Sequence, residues 1–208
     1  MTPILYSFRR CPYAMRARLA LQVAGIDVEL REVVLRAKPK AFLDVSPSAT
    51  VPCLVTQSEV IDESLDVMLW ALKQNDPEGW LAMPDEGHAW IERADGPFKQ
   101  ALDRTKYETR YPGTDPNAER DKASVFLADL DAQIAGWMFE RESLADNAIL
   151  PFVRQFAFID KDWFDAQPWP NLQTWLARFL ASSRFESMMV KYAQWQEGAP
   201  PVLFPSEN

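Results

Sequence analysis

The chain has 208 residues, of which 48% are hydrophobic and 25% charged, and its formal net charge at pH 7 is -8. This composition is typical of a globular protein, and the acidic balance argues against a nucleic-acid partner because phosphate backbones are bound by an excess of Lys and Arg. No apolar run is long enough to cross a bilayer, and the N-terminal charges follow the short apolar stretch, opposite to a secretory signal. We therefore expect a soluble, cytoplasmic protein with no membrane partner.

Cysteine and histidine are scarce in this sequence. It contains two cysteines, Cys11 and Cys53, and one histidine, His88. Two cysteines are too few for a disulfide-stapled secreted scaffold, so we expect both thiols to be reduced. A structural zinc site would have to recruit carboxylates, which is uncommon, and we predict no metal.

The first third of the chain has the pattern of an α/β domain. Apolar runs and alternating segments predict strands at 4–8, 28–35, 51–55 and 60–61. Helical spacing predicts helices from Pro12 to 24, over 38–45 and over 64–73, the first of them followed by Gly25 as a stop signal. The order β-α-β-α-β-β-α is the thioredoxin arrangement, and we predict a thioredoxin-like domain over residues 1–76.

The rest of the chain is predicted to be helical. A segment rich in Pro and Gly at 75–85 is expected to be a linker, and the strand patterns stop beyond it. Helical spacing over 88–111, 118–138, 144–159 and 172–180 predicts an all-α helical-bundle domain over 85–208. Ser143 followed by Asp146 has the Ser-x-x-acid form of an N-terminal capping box.

Cys11 is the candidate nucleophile. It is expected at the N-terminal end of the first helix, where unpaired N–H groups and the helix dipole stabilise a thiolate. Arg9, Arg10, Arg16 and Arg18 would add positive potential. The alternative, a buried core cysteine, is the commoner fate of a lone Cys, but the following proline and the basic neighbours favour the reactive one. The predicted chemistry is thiol–disulfide exchange, which requires the thiolate.

The second thiol of that exchange is expected to come from another molecule. Ala14 occupies the position where a Cys-x-x-Cys motif has its second cysteine, so no disulfide can close there. Cys53 is expected to point into the core, and a bridge to it would need Cα atoms within about 7 Å. In the cytoplasm, glutathione is the obvious external thiol.

Two further segments suit the binding of an extended peptide with charged ends. A cis bond at Val51-Pro52 would leave the Val51 N–H and C=O exposed for strand-like pairing, although a routine strand-initiating Pro is equally consistent. At the junction of a strand and a helix, Ser64 is suited to hold a carboxylate while Glu63 takes an ammonium group. An ordinary helix cap explains the same two residues equally well.

Taken together, these residues resemble a known family. The first part of the chain resembles the N-terminal domain of the glutathione transferases, above all the omega-like and other cysteine-type classes found in bacteria, and the helical remainder resembles their C-terminal domain. The resemblance rests on Cys11-Pro12-Tyr13-Ala14 followed by Arg16, on Lys38-Pro39, Val51-Pro52 and Glu63-Ser64, and on Ser143 with Asp146.

This resemblance implies a glutathione site, a cis peptide before Pro52 and a homodimer. Cys11 would face the glutathione sulfur, and the tripeptide would be bound by Tyr13, Lys38 at the glycyl carboxylate, Val51 and Pro52 at the cysteinyl backbone, and Glu63 with Ser64 at the γ-glutamyl end. Ser143 and Asp146 would be the family's structural capping pair. Seen without the family pattern, Lys38 is more readily explained as an ordinary solvated surface charge.

The expected activity is that of a thioltransferase or glutathione-dependent reductase. Cys11 stands where tyrosine- and serine-type transferases place a hydroxyl, and a cysteine forms a disulfide with glutathione instead of activating it for conjugation. The alternatives are conjugation, dehalogenation or isomerisation of a small electrophile, and a non-catalytic binding protein like the starvation-response regulators that bind RNA polymerase. A Cys-His hydrolase with His88 as base is a further alternative, but His88 has no evident orienting partner.

Overall fold

The computed structural model describes residues 2–205. Contacts between Cα atoms divide the chain into two compact units. The first comprises the residues up to Glu78 together with those from Ser182 onward, and the second is Gly79–Ala181. The sequence had assigned everything from 85 onward to one helical domain, whereas the structure groups the segment from Ser182 with the first unit.

The N-terminal part of the first unit has the predicted thioredoxin-like order. Its elements are β1 Ile4–Ser7, α1 Pro12–Val23, β2 Val28–Glu32, α2 Lys40–Val45, β3 Cys53–Val55, β4 Val60–Ile61 and α3 Ser64–Gln74. The order β-α-β-α-β-β-α is confirmed, and the bounds differ from the predicted ones by a few residues. The largest difference is in β2, which ends at Glu32 rather than at 35.

The second unit is helical, as predicted. Its α-helices are α4 Glu86–Arg93, α5 Lys99–Lys106, α6 Pro116–Gln133, α7 Leu144–Ala157, α8 Lys161–Asp165 and α9 Pro170–Leu180. The single helix predicted over 88–111 is interrupted by a π-helical turn at Ala94–Phe98, which contains Pro97. Since proline has no N–H to donate, the regular helical hydrogen-bond pattern is broken there and the turn widens.

The capping box of α7 is confirmed, and its acidic residue, Asp146, is fully buried. Asp146 accepts hydrogen bonds from the Ser143 N–H at 2.9 Å and the Ser143 hydroxyl at 2.6 Å. It also accepts from the Met138 N–H at 3.0 Å and from the Trp175 indole N–H at 2.9 Å. Burial raises the pKa of Asp146, and these hydrogen bonds oppose that rise. One carboxyl thus joins the start of α7 to α9 and to the loop before α7.

The C-terminal segment returns to the sheet of the first unit. It contains α10 Ser183–Met188 and a short strand, β5 Leu203–Phe204. Over residues 2–205 the sheet has five strands in the order β4-β3-β1-β2-β5. β1 is parallel to β2 and antiparallel to β3, whereas β5 is antiparallel to β2, with Val28 opposite Phe204. β5 is an exception within the region beyond 85 that was predicted to be helical: its two residues, which lie between Pro201 and Pro205, form a strand through pairing with the edge of β2.

Trp195 joins this returning segment to β2. The Trp195 N–H donates to the Glu32 carbonyl oxygen at 2.9 Å. The Arg31 guanidinium lies 4.3 Å from the centre of the Trp195 ring, and the Tyr6 ring meets it edge-on at 6.1 Å. Arg31 also donates to the Tyr6 hydroxyl at 2.7 Å. The Trp195 indole therefore packs against the Arg31 guanidinium, which is itself hydrogen-bonded to Tyr6 of β1.

We expect Trp195→Ala to lower the free energy of unfolding by about 1–2 kcal/mol, because the cation–π and edge-to-face contacts are lost. Urea denaturation of the full chain measures this. Trp195→Phe, which keeps an aromatic ring beside Arg31, should lose less than half as much. Equal losses in the two variants would contradict a role for the ring.

Among the described residues, no helix is both long and apolar enough to cross a membrane.

Candidate active site

Cys11 is the N-cap residue of α1. Its N–H donates to the Phe8 carbonyl at 2.9 Å, which closes the turn between β1 and α1, and its carbonyl accepts from the Met15 N–H at 3.0 Å. The side chain is half-buried. The sulfur therefore lies at the positive end of a 12-residue helix, where backbone N–H groups and the helix dipole stabilise an anion.

The segment before β3 approaches Cys11 from the other side. Cys11 Sγ lies 3.6 Å from the Val51 carbonyl oxygen. Because β3 runs antiparallel to β1 with Cys53 opposite Tyr6, the residues before Cys53 lie beside the residues that follow β1. The Val51-Pro52 peptide bond is cis, as expected. The sheet register thus places the cis peptide next to the thiol.

Glu63 and Ser64 lie at the N-terminus of α3. Glu63 is the exposed N-cap residue, and Ser64, the first helical residue, is 4% exposed. Arg16 of α1 is 1% exposed and donates to the Ser64 hydroxyl at 3.4 Å. A buried cation and a helix N-terminus therefore meet at Ser64, an arrangement suited to a carboxylate.

Tyr13 and Lys38, the other two predicted binding residues outside the Val51-Pro52 and Glu63-Ser64 segments, lie in α1 and in the loop before α2. Tyr13 is half-buried in the first turn of α1, with the Arg16 guanidinium 5.8 Å from its ring centre. Lys38 is half-buried in the loop between β2 and α2, just before Pro39. His88 is exposed on α4 in the second unit. The contacts thus join Cys11 to Val51, and Arg16 to both Ser64 and Tyr13.

The four arginines near Cys11 differ in their surroundings. Arg10 is exposed and packs on Phe8 with its guanidinium 5.5 Å from the ring centre. Arg9 is half-buried, and its Nη1 lies 3.4 Å from the Met189 carbonyl oxygen. Arg16 and Arg18 are buried. The basic run is therefore divided between a solvent-facing side and a buried side.

Glu32 was not predicted as a residue of this site. It forms an ion pair with Arg18 at 2.7 Å, and burial lowers the pKa of Arg18 despite this partner. A signal was present, since β2 buries alternate residues and Glu32 falls on the same face as Val28 and Leu30. An acid on the core face of a strand indicates a buried partner.

Cys53 is chemically distinct from Cys11. Its side chain is completely buried, and neither cysteine is in a disulfide bond. Desolvation by burial raises the pKa of Cys53 to about 11, with the Ser46 hydroxyl opposing the rise and Asp62 adding to it. Cys53 is therefore a protonated core residue at neutral pH.

Alkylation of the native protein at pH 8 is expected to modify one thiol per chain quickly, and peptide mapping should place it at Cys11. The thiolate is the reactive form, so Cys53 should react only after unfolding or as the pH rises toward 11. The Cys11→Ala variant, which contains only the buried thiol, is the matched control. Rapid modification of Cys53 in folded protein would contradict this assignment.

Among the described residues, no group of three or more His, Cys, Asp or Glu side chains could hold a metal ion.

Known proteins resemble this chain in sequence and in fold. Residues 5–79 match the family model for the N-terminal domain of glutathione S-transferase. Omega-1 glutathione S-transferase of Rattus norvegicus is 39% identical over 205 residues, which cover 87% of this chain and 79% of that protein. The chain belongs to the glutathione S-transferase family. The match to the rat protein includes residues of both compact units of this chain.

Two further relatives fit the same family. A probable glutathione transferase of Aplysia californica is 42% identical over 57 residues, which are 27% of this chain, and the chain spans 62% of the length of that protein. A solved glutathione transferase family member from Pseudomonas fluorescens, with two glutathione molecules bound, superposes with a TM-score of 0.76 at 20% identity. The match covers 90% of this chain and 92% of that one and shows the shared fold.

Proposed function

We propose that this chain is a cysteine-type glutathione transferase that acts as a thioltransferase or glutathione-dependent reductase. The Cys11 thiolate attacks the glutathionyl sulfur of a mixed disulfide, forming a Cys11–glutathione disulfide and releasing the other thiol as a thiolate. A second glutathione thiolate attacks that disulfide, which regenerates Cys11 and releases glutathione disulfide. The net reaction consumes one mixed disulfide and one glutathione, and the proton of that glutathione ends on the released thiol.

One observation carries this proposal. Cys11 stands at the N-terminus of α1 with its sulfur 3.6 Å from the carbonyl of Val51, next to the cis peptide before Pro52. A thiolate at that point is stabilised by the helix and can react with a sulfur held alongside. A tyrosine or serine hydroxyl there would instead hold the glutathione thiolate for conjugation.

The same geometry suggests how glutathione is bound. The Val51 N–H and C=O pair with the cysteinyl backbone of the tripeptide as with an added strand. Glu63 binds the γ-glutamyl ammonium, and Ser64, with buried Arg16 behind it, binds the carboxylate. Lys38 contacts the glycyl carboxylate, and Tyr13 lines the site. The resemblance to the family further supports a homodimer, which acts in the cytoplasm.

Conjugation of a small electrophile is the second candidate, and membership of the family favours it. A direct comparison of substrates separates the two. We expect rapid glutathione-dependent reduction of a mixed disulfide of glutathione and a small thiol, and at least about a hundred-fold lower kcat/KM with a chloroaromatic acceptor. Faster conjugation than reduction would overturn the proposal, and failure to bind glutathione at millimolar concentration would indicate a non-catalytic binding protein.

A further inference from the structure

Glu32 lies directly beneath the turn that carries Cys11. It is the last residue of β2 and pairs in register with Ser7, the last residue of β1. One of its carboxylate oxygens, Oε1, accepts the backbone N–H of Arg9 at 2.7 Å. The turn from Phe8 to Cys11 is closed by the hydrogen bond from the Cys11 N–H to the Phe8 carbonyl, and the bond from Arg9 to Glu32 fixes the turn relative to the sheet.

The other carboxylate oxygen holds a buried cation. Glu32 Oε2 accepts from Arg18 Nη2 at 2.7 Å, and Arg18 Nη1 donates to the Met188 carbonyl at 3.1 Å. The Arg18 side chain is 0% exposed and that of Glu32 is 10% exposed. A buried cation without its partner carries a large desolvation cost, so the two charges act as one unit.

Arg18 is the member of the pair that interacts electrostatically with the thiol. Burial lowers the pKa of Arg18, and the Tyr192 hydroxyl and the Cys11 sulfur both oppose this lowering. The Tyr192 hydroxyl is buried and has no hydrogen-bond partner among the described residues. Among the described residues, the titratable groups that act on Arg18 besides Glu32 are therefore Cys11 from the start of α1 and Tyr192 from the C-terminal segment, while Arg9 contributes its backbone N–H to Glu32.

We propose that Glu32 is a positioning residue for Cys11, which fixes the turn before the thiol through the Arg9 N–H and sets the positive field on the sulfur by balancing Arg18. The role rests on the proposed function of Cys11 as the nucleophile. Two consequences follow from the geometry. Loss of the Glu32 charge leaves Arg18 unbalanced, so the thiolate is favoured, and loss of the bond to Arg9 lets the turn shift, so turnover falls.

The test measures the rate of iodoacetamide alkylation against pH in a Cys53→Ala background, where Cys11 is the single thiol. Glu32→Gln should alkylate about three- to ten-fold faster than its parent at pH 6, because the negative charge that balances Arg18 is removed. Its kcat for mixed-disulfide reduction should fall, because the amide has one acceptor oxygen for the two donors, Arg9 N–H and Arg18 Nη2, that the carboxylate accepts. The matched control is Glu29→Gln. Glu29 belongs to the same strand and forms an ion pair with Arg31 at 2.7 Å, but it lies beside Ile4 at the other end of β1.

A purely structural role predicts a different result. Glu32→Gln would then lose stability while keeping the alkylation profile of its parent and of Glu29→Gln, and this outcome would overturn the proposal. If Glu32→Gln does not fold, the double variant Arg18→Met with Glu32→Leu removes both buried charges, a change that folded proteins often tolerate. It should alkylate within about two-fold of the parent at pH 6, because the cation and the anion that balances it are both gone, while its kcat for mixed-disulfide reduction falls because the Arg9 N–H has lost its acceptor. An unchanged kcat in this variant would refute the proposal.

The two proposals fail in different ways. If Cys11 is not the nucleophile, the parent protein shows no mixed-disulfide reduction, whatever the alkylation profiles are. If Cys11 is the nucleophile but Glu32 does not position it, the parent is active and the alkylation profiles of Glu32→Gln and Glu29→Gln coincide. Activity and alkylation therefore have to be measured on the same preparations.

Discussion

Cys11→Ser is expected to lower the rate of mixed-disulfide reduction by about a thousand-fold or more, to the background of the uncatalysed reaction. A serine hydroxyl cannot form a disulfide with glutathione, so the first step of the proposed reaction has no nucleophile. The helix N-terminus and the proposed binding groups at Val51, Glu63 and Ser64 are unchanged, so glutathione binding should change little. Steady-state kinetics with a mixed disulfide of glutathione and a small thiol, together with calorimetric titration of glutathione, measures both effects.

The matched control is Cys53→Ala. Cys53 is completely buried in the core beside β1, and its thiol is protonated at neutral pH, so its removal should leave kcat/KM within about two-fold of the parent. Substantial reductase activity in Cys11→Ser would reject the nucleophilic role of Cys11. Equal losses in both variants would show that the effect comes from the fold and not from the chemistry.

The largest effect on stability is expected at Asp146. Asp146→Ala should lower the free energy of unfolding by about 3–5 kcal/mol, because four buried donors lose one acceptor at once. These donors belong to the start of α7, to the loop before it and to Trp175 of α9, so the loss affects three parts of the second unit. Urea denaturation, with the slope of the unfolding transition compared between variants, gives the change.

Asp129→Ala provides the control for this measurement. Asp129 forms an ion pair with Arg93 at the surface of α6, where such pairs contribute about 0–1 kcal/mol. A loss at Asp146 no larger than that at Asp129 would show that water or a rearranged loop satisfies the four donors. Asp146→Asn, which keeps one carbonyl acceptor, should fall between Asp146→Ala and the parent.

Local features of the sequence predicted the framework of the site well. Pro12 marks the first turn of α1 and so places Cys11 at the N-cap, and Ser143 with Asp146 marks the start of α7 through a spacing that backbone geometry imposes. The apolar run over 51–55 that predicted β3 also led to the expectation that Cys53 points into the core. Such features depend on neighbours within a few residues, and the printed sequence contains all of that information.

Features that depend on distant neighbours were not predicted. β5 forms because Phe204 meets Val28, which is far away in the chain, and nothing near Phe204 indicates a strand. The pairing of Glu32 with Arg18 likewise depends on how β2 packs against α1. The π-helical turn that contains Pro97 was missed because helical periodicity continues through it. The binding roles of Tyr13, Lys38, Val51, Pro52, Glu63 and Ser64 remain predictions.

A crystal soaked with glutathione disulfide tests the central claim most directly. We expect electron density for one glutathionyl group joined to Cys11 Sγ, with its backbone paired to Val51 and its γ-glutamyl end at Glu63 and Ser64. The account would be contradicted by a reduced Cys11 with no tripeptide beside it, or by a tripeptide bound there whose sulfur has not reacted with Cys11.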